Sequence, residues 1–90
     1  MPEQPDPLMI AAAEEELAAA CTLGWQALSK VTPWGDTFEG FIQGGRAVLI
    51  ERSYIWKVAP GGDILVEVAV YPGETRYDRA GRASAVIKRP

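Results

Sequence analysis

Residues 46–71 read RAVLIERSYIWKVAPGGDILVEVAVY, and the pattern of this stretch decides the fold. Apolar and polar side chains alternate on both sides of a Pro-Gly-Gly break, the period-two signature of two strands joined by a turn. Gly44-Gly45 offers a second turn that brings residues 37–43 back against residues 46–58. Three-residue loops at 43–45 and 60–62 predict Phe38 opposite Ile50 and Gly40 opposite Val48. They also set Val58 opposite Ile64, Trp56 opposite Val66 and Tyr54 opposite Val68. One face then collects Phe38, Ile42, Val48, Ile50, Tyr54, Trp56, Val58, Ile64, Val66, Val68 and Val70. A slip of one residue would send these side chains to the wrong face.

The opposite face is not cleanly polar. It carries Phe41, Leu49, Ile55, Leu65, Ala69 and Tyr71 among Glu39, Glu51, Ser53, Lys57 and Glu67, with Tyr71 set opposite Glu51. An antiparallel sheet with one wet face alternates more strictly. Three covers are available for it: the C-terminal segment, a second copy, or a partner. Arg52 falls on the apolar face between Ile50 and Tyr54, where its stem can run past a covering helix to water.

Upstream, residues 8–30 are rich in alanine, leucine and glutamate, all strong helix formers. Asp6-Pro7 makes a helix start, with aspartate as the N-cap and proline in the first turn. Ile10, Ala13, Leu17, Ala20, Cys21, Gly24 and Leu28 recur at three- and four-residue steps. Gly24 costs about 1 kcal/mol relative to alanine in a helix interior, or can act as a left-handed cap; the continuous helix is the expectation. Residues 31–36 form a connection, with Trp34 closing one end of the core. Residues 1–6 read as a loose tail, and 7–90 as one domain.

Downstream, Pro72-Gly73 ends the third strand. Residues 75–82 read as a hairpin tip, and 83–88 as a short returning strand. Tyr77-Asp78-x-x-Gly81-Arg82 resembles the Y-D-x-x-G-R pattern of YD-repeat proteins. It stands as a single copy, so the resemblance implies a β-turn shaped by Asp78 and Gly81 rather than a repeat. Arg76, Arg79, Arg82, Lys88 and Arg89 gather positive charge in this tail.

Composition narrows the chemistry. The chain has 90 residues, no histidine and one cysteine, Cys21. Without histidine, Ser-His-Asp and Cys-His nucleophile systems are excluded, as are most zinc sites. A net charge of −3 argues against general nucleic-acid binding. Glu14, Glu15 and Glu16 interrupt the longest apolar-rich run, so no membrane helix is expected. The acidic, proline-bearing start is unlike an export signal, and the cytoplasm is the expected compartment. The glycine pairs lack the lysine and following helix of a phosphate loop. No catalytic, metal or cofactor site is expected.

The sequence therefore predicts an α+β domain: an N-terminal helix on a three-stranded antiparallel meander, followed by a C-terminal β-hairpin or extra strand. The function it points to is non-catalytic protein–protein interaction, as a homodimer or with another protein, through Phe41, Leu49, Ile55, Leu65 and Tyr71. Trp34, Arg52, Tyr54 and Trp56 are further candidate contacts for a partner or small ligand. A helix followed by a glycine-turn hairpin is also similar to the small head–tail joining proteins of tailed phages, as far as Val58. That resemblance implies a structural part in a larger assembly.

Overall fold

A computed structural model describes residues 6–72 and 80–90. The order is helix α1 (Pro7–Cys21), helix α2 (Gly24–Ser29), then strands β1 (Trp34–Phe41), β2 (Ala47–Trp56), β3 (Ile64–Tyr71) and β4 (Gly81–Ile87). The strands form one antiparallel sheet in the order β1-β2-β3-β4. The fourth strand is thus the extra C-terminal strand of the predicted α+β fold. Of the predicted hairpin tip at 75–82, residues 75–79 lie outside the described residues, and Gly81 and Arg82 belong to β4 instead, so the returning strand starts two residues earlier than predicted.

Helix α1 begins as its sequence dictates. Asp6 is the N-cap, its carboxylate accepting from the Leu8 amide at 2.9 Å, and Pro7 follows in the first turn. The helix does not continue to Lys30. It ends at Cys21, and Gly24 takes φ +79°, a conformation that only glycine adopts without strain. The chain turns there and resumes as α2. This break lets Leu28 turn inward, where it is fully buried beside Ala20, Tyr54, Ile64 and Val66.

The first hairpin has the predicted register, with Phe38 opposite Ile50 and Gly40 opposite Val48. Gly44 and Gly45 both take positive φ in its turn. The strand opens at Trp34, earlier than the connection at 31–36 predicted. The second hairpin departs from the prediction. Its loop closes through the Lys57 amide on the Asp63 carbonyl, 2.9 Å, with a tighter turn inside from Gly62 to Ala59, 3.0 Å. Trp56 therefore pairs with Ile64 and Tyr54 with Val66, two residues from the predicted register. An even shift keeps every strand side chain on its face. It ejects Val58 from the sheet, leaving that side chain 90% exposed rather than covered. Likewise Tyr71 stands opposite Leu49, not Glu51.

The covered face buries Ile42, Val48, Ile50, Tyr54, Ile64, Val66, Val68 and Val70 against Met9, Ala13, Ala20 and Leu28. Each fully buried aliphatic side chain contributes about 1.5–3 kcal/mol. Small residues on α1 allow an unusually close approach to the sheet. Gly81 of β4 lies so near that a Cβ there would run into the Met9 carbonyl and the Ile10 amide. At the far end, the Trp25 indole donates to the Gly62 carbonyl at 2.8 Å. The Arg89 guanidinium lies 5.6 Å from the Trp25 ring centroid, and its Nη1 donates to Gly61. The Arg89 amide donates to Asp63. One contact set thus joins α2, the β2–β3 loop and the C-terminal residues.

Candidate functional site

Because side chains alternate across a strand, α1 and α2 on one face leave the other face to be described by register alone. β4 lengthens the sheet rather than lying over it. On the uncovered face the residues form rows across the strands. At one end Ile55, Leu65 and Val86 stand directly side by side on β2, β3 and β4. Ile55 is 39% exposed, and the other two are partly buried. The next row is Gly35, Ser53, Glu67 and Ser84; then come Thr37, Glu51, Ala69 and Arg82. Beyond them lie Glu39, Leu49 and Tyr71, and finally Phe41, which is 76% exposed.

The middle of this face is polar and concave. Thr37, Glu51, Ser53, Glu67, Arg82 and Ser84 line an open depression of about 670 Å³. The Tyr71 hydroxyl donates to Glu51 Oε2 at 2.6 Å, reaching diagonally to it although Leu49 is its direct neighbour. This bond ties a phenol buried among Ala69, Ala80 and Leu49 to a carboxylate on the next strand. Glu39, Glu51 and Glu67 share the face but stand in different rows. Among the described residues, no group of three or more acidic, cysteine or histidine side chains is placed to hold a metal.

The five residues predicted as an interface therefore separate. Ile55 and Leu65 are neighbours in the open apolar row. Leu49 and Tyr71 belong to the buried cluster with Ala69 and Ala80. Phe41, at the end of β1, lines a hollow with Leu8, Ala11 and Ala12 of α1 and is separate from the other four. Val86 completes the apolar row and was not singled out from sequence, because no register for the last strand was assigned. The alternation of Arg82, Ser84 and Val86 is the signal that would have placed it.

A second cluster lies on the helix side, at the margin that α1 leaves uncovered. Arg52 does not run free to water. Its Nε and Nη2 donate to the two Asp36 carboxylate oxygens at 3.0 and 2.7 Å, a bidentate pair, and Glu16 stands 3.9 Å from Nη1. The hydrogen-bonded Asp36 pushes the Arg52 guanidinium further up from its already high range, with partial burial working the other way. The guanidinium also lies 4.6 Å from the Phe38 centroid and 5.2 Å from that of Trp34, which stacks on Tyr54 at 4.9 Å. Trp34, Arg52 and Tyr54 are thus brought together. Trp56 packs elsewhere, in the core beside Tyr54 and Ile64. Sequence reading missed Asp36 as the partner because it fell in the predicted connection at 31–36; carrying the first hairpin's register one residue further would have set it opposite Arg52.

Among the described residues no helix is long and apolar enough to cross a membrane. Comparison with protein-family models, with curated proteins and with solved structures finds no match.

Proposed function

We propose that this chain is a small non-catalytic protein-binding domain that engages another polypeptide through the exposed end of the sheet face opposite its helices. The observation that carries the reading is the row Ile55–Leu65–Val86, three adjacent aliphatic side chains on a face that neither helix covers. Contiguous apolar surface of this kind, rimmed by polar groups, marks interaction sites on small domains. The polar rows beside it supply the hydrogen-bonding rim that such an interface uses for orientation. The proposal places the work in the cytoplasm, where the single Cys21 stays a free thiol.

Leu65→Asp and Ile55→Asp test it. A charge in the centre of the row should abolish binding of a polypeptide that co-purifies stoichiometrically with the wild-type chain. Glu67→Ala, in the adjacent polar row, should leave it nearly unchanged. Both aspartate variants keep the covered face intact, so their thermal unfolding should stay close to wild type. Unimpaired binding by Leu65→Asp would remove this face from consideration.

A further inference from the structure

Among the described residues, the sheet ends at β1 in an edge that no other strand pairs with. The Ile42 amide donates to the Arg46 carbonyl at 3.0 Å, and the paired register runs on from there without a bulge. Bonded pairs in an antiparallel ladder recur at every second residue. The even residues of β1 therefore bond to β2, and Gly35, Thr37, Glu39 and Phe41 point their amides and carbonyls outward. Open edges are commonly guarded by lysine, proline or a bulge. Strand β1, WGDTFEGF, has no lysine, proline or bulge; its two charges are Asp36, neutralised by the bidentate pair with Arg52, and Glu39. The opposite edge strand carries Arg82 and is followed at once by Lys88 and Arg89.

The strand is also complementary to itself. We infer that β1 pairs antiparallel with β1 of a second copy, about a two-fold axis through Phe38, making one continuous sheet with both α1 helices on the same side. In this register Gly35 meets Phe41 of the other copy and Thr37 meets Glu39. Every outward amide and carbonyl of the four residues then finds a partner. Phe41, 76% exposed in the single chain, lies over the bare backbone of Gly35. On the helix side Asp36 faces Gly40, Trp34 faces Ile42, and the two Phe38 rings meet at the axis. No like charges stand directly opposite. The two Glu39 carboxylates are diagonal, about 7–8 Å apart, a repulsion that salt screens.

Neighbouring registers are worse. An axis through Glu39 sets that residue against its own copy and leaves Gly35 without a strand partner. An axis through Thr37 sets Phe41 against Pro33, which has no amide to give, and Asp36 against Phe38. The inference rests on the reading of this chain as a protein-binding domain, but it uses the edge rather than the face.

Sedimentation over micromolar to millimolar concentration and oxidative cross-linking, with five variants, test it. Wild type should be a dimer that tightens as salt is added. Thr37→Pro and Glu39→Pro remove outward amides that β2 does not use, so an edge strand tolerates them and the monomer stays folded. Each occurs twice in a symmetric dimer and should weaken association about tenfold or more. Phe38→Cys, in a Cys21→Ser background, should cross-link readily on oxidation. Non-bonded cross-strand pairs bring Cα atoms to about 4.5 Å, within disulfide range. Glu39→Cys in the same background should cross-link far less.

Leu65→Asp should remain dimeric. If it dissolves the dimer while the proline variants do not, the second copy sits on the open face; the edge inference falls and the face reading stands. A wild type that stays monomeric at every concentration overturns the edge inference without touching the face. Growth beyond a dimer, as pairing of β1 with β4 of the next copy would give, also overturns it.

Discussion

Gly81→Ala is the substitution through which the packing of this domain can be tested most sharply. Gly81 pairs with Val70 in the sheet, and a Cβ added to it meets the backbone of α1 at Met9 and Ile10. A flexible side chain could swing aside, but helix backbone cannot. Restoring ordinary van der Waals separation demands a shift of the first turns of α1 on the order of 1 Å. That shift would loosen Met9 and Ala13, both fully buried between helix and sheet. Overpacking costs about 1–3 kcal/mol where side chains can adjust, so about 3 kcal/mol or somewhat more is expected here. In a domain this small about 1 kcal/mol moves the melting temperature by about 4–8 °C, so the loss should exceed about 12 °C. Circular dichroism melts and urea titrations at matched protein concentration measure it. Gly40→Ala is the internal control: its Cβ would meet only the Cδ1 tip of Ile50, at 2.8 Å, which can rotate away. A fall of less than about 4 °C for Gly81→Ala, or one no larger than for Gly40→Ala, would refute the close approach of α1 to β4.

Two further outcomes follow from the N-terminal half. Asp6→Ala removes the cap on the Leu8 amide and the 3.0 Å ion pair with Arg46, and should cost about 1–2 kcal/mol in urea unfolding; Asp6→Asn, which keeps a capping oxygen, should cost less. Burial pushes the Cys21 thiol up from its ordinary value, so its thiolate is scarcer in the folded chain than in the unfolded one at mildly alkaline pH. The folded state then holds more protons there, and stability should decline as pH rises through the unfolded thiol range, with disulfide-reagent labelling slower in the native chain than in urea.

The sequence revealed the faces of the sheet better than its alignment. Strand alternation has a period of two, so a register wrong by two residues at Lys57–Asp63 still put Ile64, Val66, Val68 and Val70 inside. What it misplaced was Val58, because Pro60-Gly61-Gly62 has the composition of a tight loop while backbone hydrogen bonding closes a wider one. Gly24 posed the other ambiguity. A glycine in a helical pattern can be a minor weakness or a stop, and only the positive φ settles which. The pairing of Arg52 with Asp36 lay one residue beyond the predicted strand, because Pro33 and Gly35 give residues 31–36 the composition of a connection although they open β1 from Trp34 onward. The open row needed β4, and the sequence carries no branched apolar run in residues 81–87 that would have assigned its register.

The contacts around Trp25 have a bearing on time as well as on shape. They join residues 26 to 64 positions apart in sequence, and the last contributor, Arg89, can arrive only when β4 has docked. Contacts of this span are expected to form after the rate-limiting barrier, which Arg89→Ala tests by raising the unfolding rate in stopped-flow measurements while leaving the folding rate unchanged. Interactions absent from the transition state govern how long the native state survives rather than how fast it forms. The last residues of the chain thus act as a latch on its lifetime: their loss would leave the route into the fold unchanged and shorten the stay there.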